Sequence, residues 1–140
     1  MAFTVGSVIM KCKPLVHTLN NKQKSNRCDF CFKTNDNLRK CSKCQSMYYC
    51  DQKCQRMDWS ECHRQECRIY ADHYGRCLTG DCDRLLLRLH LTLENRPEMR
   101  SQTHELFNGQ KRCFDDLMTH NEDIITDGQR MKNFAAICDR

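Results

Sequence analysis

Eight cysteine and histidine side chains fall at regular spacings within 40 consecutive residues of this chain. They form four pairs, separated by two or three residues: Cys28 and Cys31, Cys41 and Cys44, Cys50 and Cys54, and His63 and Cys67. A two-residue gap lets a turn direct both sulfurs at one ion, and a three-residue gap places two ligands on successive helical turns. The spacing therefore predicts two zinc ions with four ligands each. Because four protein ligands leave no open position for water, we expect both ions to be structural.

The cysteine content also fits small secreted proteins that are stabilised by disulfides, since the chain has 13 cysteines in 140 residues. Three features argue against that class. Residues 1–10 contain no basic residue ahead of their apolar stretch, and no small-residue cleavage site of a signal peptide follows them. The cysteine count is odd, and paired Cys-x2-Cys spacings followed by His-x3-Cys are typical of zinc binding. We therefore expect a reducing compartment, the nucleus or the cytoplasm.

Charge is concentrated in the cysteine-rich half of the chain. The formal net charge is +5, and residues 1–67 hold 12 basic against 6 acidic side chains. Seven thiolates and two Zn²⁺ ions lower the charge of the zinc-bound chain to about +2, which weakens an argument for nucleic-acid binding from charge alone. No stretch has the 18 or so consecutive apolar residues that a membrane span requires, and we expect no membrane contact.

The polar run at residues 20–27 predicts a boundary, and the chain divides into three parts. Residues 1–27 are expected to form an extended segment or an edge strand, because Pro14 disfavours helix in the residue before it. Residues 28–67 form the metal module, and residues 68–140 are expected to be α-helical. The predicted fold class is a small zinc-stabilised α+β module followed by an α-helical segment.

The helical part begins with a helix near Asp81 or Asp83, either of which can cap it. Its apolar face is predicted to contain Leu85, Leu86, Leu89 and Leu93, while the alternation of leucines from Leu87 to Leu93 leaves a strand open.

Two further helices are predicted downstream. Pro97 marks the start of the first, and Asn108 with Gly109 marks its end. Thr126 and Gln129 predict a capping box at the start of the second. The apolar face of this second helix contains Met131, Phe134, Ala135 and Cys138. No other segment of the chain is long enough to bury this face well.

The metal module resembles MYND-type zinc fingers. The resemblance is carried by the four pairs in their order, by Tyr48-Tyr49-Cys50, and by Gln55 followed four residues later by Trp59. It implies a crossed arrangement in which Cys28, Cys31, Cys50 and Cys54 bind one zinc ion, and Cys41, Cys44, His63 and Cys67 bind the other.

One departure from the family pattern leaves two choices of ligand. Between Trp59 and Cys67 the chain is one residue longer than the pattern, and Cys62 stands where the histidine is expected. His63 and Cys67 are four residues apart and share a helical face, whereas Cys62 and Cys67 do not. We therefore prefer His63 as the ligand and expect Cys62 to be a spare thiol.

The flanks resemble SET and MYND domain lysine methyltransferases. Residues 6–15 are similar to the N-terminal part of the split SET domain, and residues 83–88, 114–117 and 134–138 are similar to the helical insert that follows the finger. A complete relative would use S-adenosylmethionine. The Gly-x-Gly turn, the Asn-His-Ser-Cys stretch and the Gly-Glu-Glu segment that the family uses do not occur in this sequence. We therefore expect no catalysis by this chain.

The function that the resemblance implies is recognition of short proline-containing peptides. The residues that match the family's docking surface are Ser42, Gln55 and Trp59, with Tyr48 nearby. Gln55 and Trp59 share a helical face, and the strand near Tyr48 offers an edge. In the alternative interpretation Trp59 only packs on the zinc fold. Two other functions stay open: weak DNA contact through the basic surface, and a fragment or truncated relative of a protein or histone lysine methyltransferase.

Overall fold

The finger begins with two short antiparallel strands. The computed structural model describes residues 3–9, 11, 13–72, 80–106 and 108–138, without the side chains of residues 137 and 138. Strand β1 is Arg39–Lys40 and strand β2 is Tyr48–Tyr49, with Arg39 opposite Tyr49 and Lys40 opposite Tyr48. The turn between them contains Cys41 and Cys44. The two strands thus hold one cysteine pair between them and place Cys50 directly after β2.

A nearly continuous helical segment follows. Helix α1 is Gln52–Asp58, a π-helical turn covers Trp59–His63, and helix α2 is Arg64–Asp72. Asp51 caps α1, because its Oδ1 accepts a hydrogen bond of 2.9 Å from the backbone N–H of Cys54. Buried side chains of the finger and of the end of α2 form the core, namely Cys28, Cys41, Cys44, Met47, Tyr49, Cys67 and Tyr70. Four of these seven are predicted zinc ligands, so the metal sites replace most of the apolar interior.

Helix α3, Asp81–Asn95, buries a face different from the predicted one. Leu85 and Leu86 are 38% and 47% exposed. The buried side chains of α3 are polar: Asp83, Arg84, Arg88 and Thr92. The predicted apolar face is therefore wrong at Leu85 and Leu86, whereas Leu89 and Leu93 are half-buried. The buried positions are polar because the finger offers carboxylate partners to Arg88. The helix starts at Asp81 as expected, but its N-cap residue is Gly80 rather than Asp81 or Asp83.

The segment after α3 is a short helix and a hairpin. Helix α4 is Glu98–Ser101, strand β3 is His104–Glu105 and strand β4 is Lys111–Arg112, and the two strands pair antiparallel. The predicted helix ending at Asn108 and Gly109 is therefore wrong beyond Ser101. Gly109 has a φ of +78°, as the turn of a hairpin often requires.

Two helices end the described chain, α5 at Asn121–Ile125 and α6 at Gly128–Cys138. The predicted capping box is wrong. The Asp127 side chain accepts hydrogen bonds from the backbone N–H groups of Gln129 and Arg130, whereas the Thr126 hydroxyl donates to the carbonyl of Glu122. The predicted apolar face is exposed at Met131, Phe134 and Ala135, and the side chain of Cys138 lies outside the described residues.

The N-terminal segment reaches the start of α3. Residues 3–9, 11 and 13–26 contain no strand in the structure, so the expected edge strand does not form there. The side chain of Asn20 donates a hydrogen bond of 2.7 Å to the Asp81 carboxylate, and the backbone N–H of Asn21 donates one of 2.8 Å to the same carboxylate. The buried Arg84 donates to the carbonyl of Leu19. These contacts join the N-terminal segment to α3. Within the described residues, no helix is long and apolar enough to span a membrane.

Candidate metal centre

Each Cys-x2-Cys turn is closed in the same way. The backbone N–H of Phe32 donates to the carbonyl of Cys28, and that of Gln45 donates to the carbonyl of Cys41, both at 3.0 Å. Phe32 and Gln45, each directly after the second cysteine of a pair, have φ values of +61° and +57°. This left-handed residue reverses the chain, so that both sulfurs of a pair face the same point.

The eight predicted ligands lie in two groups. The side-chain donor atoms within each group are all within 4.8 Å of one another, and the groups are Cys28, Cys31, Cys50 and Cys54, and Cys41, Cys44, His63 and Cys67. The second group is entirely buried, whereas only Cys28 is buried in the first. The first pair along the chain shares an ion with the third, and the second shares one with the fourth. The crossed arrangement that the resemblance implied is therefore the one the chain adopts.

Distances between the donor atoms fit tetrahedral zinc. With zinc–sulfur bonds of about 2.3 Å, two sulfurs of a regular tetrahedron lie about 3.8 Å apart, and a sulfur and a histidine nitrogen about 3.6 Å. The Cys31 and Cys50 sulfurs are 3.6 Å apart, and those of Cys41 and Cys67 are 3.7 Å apart. The distance from the sulfur of Cys44 to Nε2 of His63 is 3.6 Å. The residues thus fit two zinc ions, the cofactor that the sequence predicted.

The π-helical turn explains how His63 reaches the second group. A π-helical turn accommodates one extra residue within a helix, and the chain has one residue more than the family pattern between Trp59 and Cys67. The turn at Trp59–His63 absorbs it. Cys62 points elsewhere, with its sulfur 3.6 Å from Oδ1 of Asp58. Burial raises the pKa of Cys62 to about 12, so the side chain stays a neutral thiol.

Replacing Cys62 by serine should leave the metal content unchanged. The hydroxyl can keep the hydrogen bond to Asp58, and all eight ligands remain. We expect Cys62→Ser to bind two zinc ions per chain in native mass spectrometry, whereas His63→Ala should bind one tightly. If Cys62→Ser lost one ion, His63 would be the wrong ligand.

A buried polar network surrounds the second group and was not predicted from the sequence. Arg88 of α3 donates to both carboxylate oxygens of Glu66, at 2.6 and 2.7 Å. Oε2 of Glu66 also lies 3.6 Å from Nδ1 of His63, and the hydroxyl of Tyr49 donates to Asp58 at 2.7 Å. Burial opposes ionisation of Glu66, but the Arg88 guanidinium keeps the pKa of this carboxyl below its usual range. The three-residue spacing of His63 and Glu66 was the available signal in the sequence.

The four predicted peptide-binding residues surround the metal sites. Ser42 is exposed in the second cysteine turn. Gln55 and Trp59 lie on successive turns of the helical segment, and the backbone N–H of Trp59 donates to the carbonyl of Gln55. Trp59 is 38% exposed and stands edge-on to His63, with ring centroids 5.9 Å apart. Tyr48 is half-buried in β2, with the ammonium of Lys40 5.4 Å from its ring centroid.

Comparison with known proteins identifies the class of this module. Residues 28–67 match the MYND finger family, and this part of the chain is a MYND finger. The wider chain is similar to the histone-lysine N-methyltransferase ASHR1 of Arabidopsis thaliana, with 41% identity over 91 residues, which cover 64% of the chain and 18% of the relative. The predicted resemblance to this finger and to SET and MYND methyltransferases is confirmed.

Vertebrate relatives show the same relation. The N-lysine methyltransferase SMYD2-A of Xenopus laevis is 31% identical over 88 residues, which cover 63% of the chain and 20% of that protein. Human SMYD2 is 34% identical over 65 residues, which cover 46% of the chain and 15% of that protein. The matched part of the chain thus spans 15% to 20% of the length of these relatives.

Proposed function

We propose that the MYND finger binds extended, proline-containing peptides, with Trp59 as the main contact. The supporting observation is the placement of this indole, the only one in the chain, which keeps 38% of its surface exposed one helical turn after Gln55. Proline-rich segments dock on aromatic side chains because their polyproline II conformation exists before binding, so little conformational entropy is lost. A MYND finger is a protein-interaction module, so this surface specifies the kind of partner.

Trp59 also contacts the second zinc site. Its indole lies against the buried ring of His63, with the ring planes 74° apart, and 38% of its surface stays exposed. The two interpretations of Trp59 are therefore compatible, since the same ring contacts the metal site and offers an exposed surface. A rigid aromatic anchor binds a peptide at a low entropic cost.

The edge available for strand addition is that of β1. Both main-chain groups of Tyr48 bond Asp29: its N–H donates to the carboxylate, and its carbonyl accepts from the Asp29 N–H, each at 2.7 Å. In an antiparallel pair, main-chain groups point alternately toward and away from the partner strand. Lys40, opposite Tyr48, therefore directs its main-chain groups away from β2. We place an added peptide strand along β1, close to the Tyr48 ring.

Replacing Trp59 by alanine should abolish most of this binding. Removal of a central aromatic contact typically costs about 2 kcal/mol or more, which corresponds to roughly a thirtyfold rise in Kd. Fluorescence anisotropy with labelled peptides that contain single or paired prolines measures the loss, and the same peptides with alanine in place of proline are the ligand controls.

Met57 provides the matched control variant. It lies on α1 close to Trp59 and is 43% exposed. Met57→Ala should bind within about twofold of the unmodified chain, and both variants should still hold two zinc ions. Equal binding of proline and alanine peptides, or an unchanged Kd in Trp59→Ala, would contradict the proposal.

Weak DNA contact would give a different result in the same variants. The basic side chains around the finger are exposed and could contact phosphates: Lys33, Arg39, Lys40, Lys43, Lys53, Arg56 and Arg64. Such binding falls steeply with salt concentration and does not depend on one aromatic ring. DNA binding that survives Trp59→Ala and disappears at high salt would favour this function.

The methyltransferase relatives suggest a wider role for the same surface. The similarity to ASHR1 extends over 91 residues, well beyond the 40 residues of the finger. We propose that the chain is a relative of these enzymes in which the finger recruits partners. We do not assign methyl transfer to residues 1–140, because the family's S-adenosylmethionine-binding motifs do not occur in them.

A further inference from the structure

We propose that Arg88, on a helix outside the finger, positions the histidine ligand of the second zinc site through Glu66. Arg88 lies 25 residues after His63 in the sequence. Its side chain is only 1% exposed. This role would make α3 part of the metal-binding unit, and it is independent of whether the finger binds peptides.

The guanidinium of Arg88 is fixed from several sides. Nε and Nη2 donate to the two oxygens of Glu66, and Nη1 donates to the carbonyl of His17 at 3.1 Å. Nη1 also lies 3.5 Å from Oδ1 of Asp58. A bidentate pair of this kind fixes the plane of the carboxylate as well as its position. Glu66 therefore has one orientation, which is set by α3 and by the N-terminal segment.

Glu66 in turn faces the ring of His63. Zinc at Nε2 leaves the ring proton on Nδ1, and Nδ1 is the atom that lies 3.6 Å from Oε2 of Glu66. Nδ1 is buried and has no hydrogen-bond partner at normal distance among the described residues. A carboxylate behind a zinc-bound histidine fixes the ring and its tautomer and raises its basicity as a ligand. The order of contact is thus Arg88, Glu66, His63 and metal.

This chain of contacts couples the metal to the packing of α3. If the docked helix strengthens zinc binding at the second site, bound zinc must strengthen helix docking by the same factor, because coupling free energies are reciprocal. The first site contains no histidine and is not part of this chain of contacts. We therefore expect an effect on one of the two zinc ions only.

Zinc release from the full chain tests the proposal. In Arg88→Gln, the zinc ion of the second site should transfer to an excess of a chelating dye about tenfold or more faster than in the unmodified chain, the usual range for loss of such a partner. The zinc ion of the first site should keep its rate. The His63 signals in a long-range ¹H–¹⁵N spectrum identify the second site, and the Nδ1 proton signal should broaden or disappear in the variant.

Arg84→Gln is the matched control. Arg84 is a buried arginine one turn earlier on α3, and among its described contacts it donates hydrogen bonds to Leu19, Asn21 and Asp81. Arg84→Gln should leave Arg88 and Glu66 in place, so we expect the His63 signals and both release rates to stay within about twofold to threefold. If Arg88→Gln and Arg84→Gln changed release equally, or if neither changed it, the positioning role would be wrong.

A milder variant covers the case in which Arg88→Gln does not fold. Arg88→Lys keeps the positive charge but lacks the planar fork that holds both carboxylate oxygens. It should release the second zinc ion at an intermediate rate and shift the His63 Nδ1 proton signal. A release rate and a His63 spectrum identical to those of the unmodified chain would overturn the proposal.

Discussion

Removal of zinc is expected to unfold the finger and release α3. Structural zinc contributes about 10–16 kcal/mol per ion in comparable small fingers, which is as large as the whole stability of a typical domain. Four of the seven buried core residues are zinc ligands, so little apolar interior remains without the metal. The crossed pairs join both sites to the same strands and helix. Cys28→Ser and Cys44→Ser should therefore be similarly damaging, although they belong to different sites.

Two signals measure this unfolding. Circular dichroism should lose helical signal when a strong chelator is added, and Trp59 emission should shift to longer wavelength because the ring leaves the His63 edge. The control is the same chelator saturated with zinc beforehand. An unchanged spectrum with proven loss of metal would show that the finger folds on its apolar residues.

Replacing Glu66 by alanine should cause the second large loss. The substitution leaves the Arg88 guanidinium buried without its bidentate partner, and breaking a buried ion pair in this way costs about 3–5 kcal/mol. Both side chains are at most 1% exposed, so bulk water does not solvate the guanidinium in the folded chain. We expect a lower midpoint of urea unfolding for the zinc-saturated variant, with a slope similar to that of the unmodified chain.

Glu61 provides the comparison for this substitution. It lies five residues earlier in the same helical segment, and its carboxylate accepts from Lys13 at 2.8 Å in an exposed pair. Exposed ion pairs contribute only about 0–1 kcal/mol. Glu61→Ala should thus have little effect. Equal losses in the two variants would mean that the Arg88 network contributes no more than a surface pair.

The metal ligands were predictable from the sequence, because zinc geometry restricts which spacings can serve one ion. The pattern alone did not decide between Cys62 and His63. The structure places His63 in the second group through a π-helical turn, and a one-residue excess in the sequence is the only trace of such a turn. Pairing of the cysteines across the two sites came from the resemblance rather than from the spacing.

The packing of α3 was not predictable from its leucines. Hydrophobic periodicity assumes that the apolar face points inward, but the surface that α3 meets contains the carboxylates of Glu66 and Asp58. Arg88 therefore faces the finger and Arg84 faces the N-terminal segment, whereas Leu85 and Leu86 are exposed. Charged residues on a helix are ordinarily assigned to solvent, so the sequence gives no direct sign of this inversion.

Local sequence signals also failed where the same residues are typical of two kinds of local structure. Asn108 with Gly109 is typical of a helix end and of a hairpin turn. The pairing of β3 with β4, which decides between the two, links residues on both sides of the turn. At α6 the cap is Asp127, one residue after the predicted Thr126. Thr126 and Asp127 are both suitable capping residues, and the backbone angles that decide between them cannot be read from the sequence.

Mass spectrometry is the most direct test of the central claim that two zinc ions stabilise this fold. The native mass of the full chain should equal that of the polypeptide with two zinc ions, and the mass in denaturing acid should equal that of the chain with all 13 cysteines reduced. A metal-free native chain that is fully folded, or a denatured mass lowered by disulfide formation, would contradict the account.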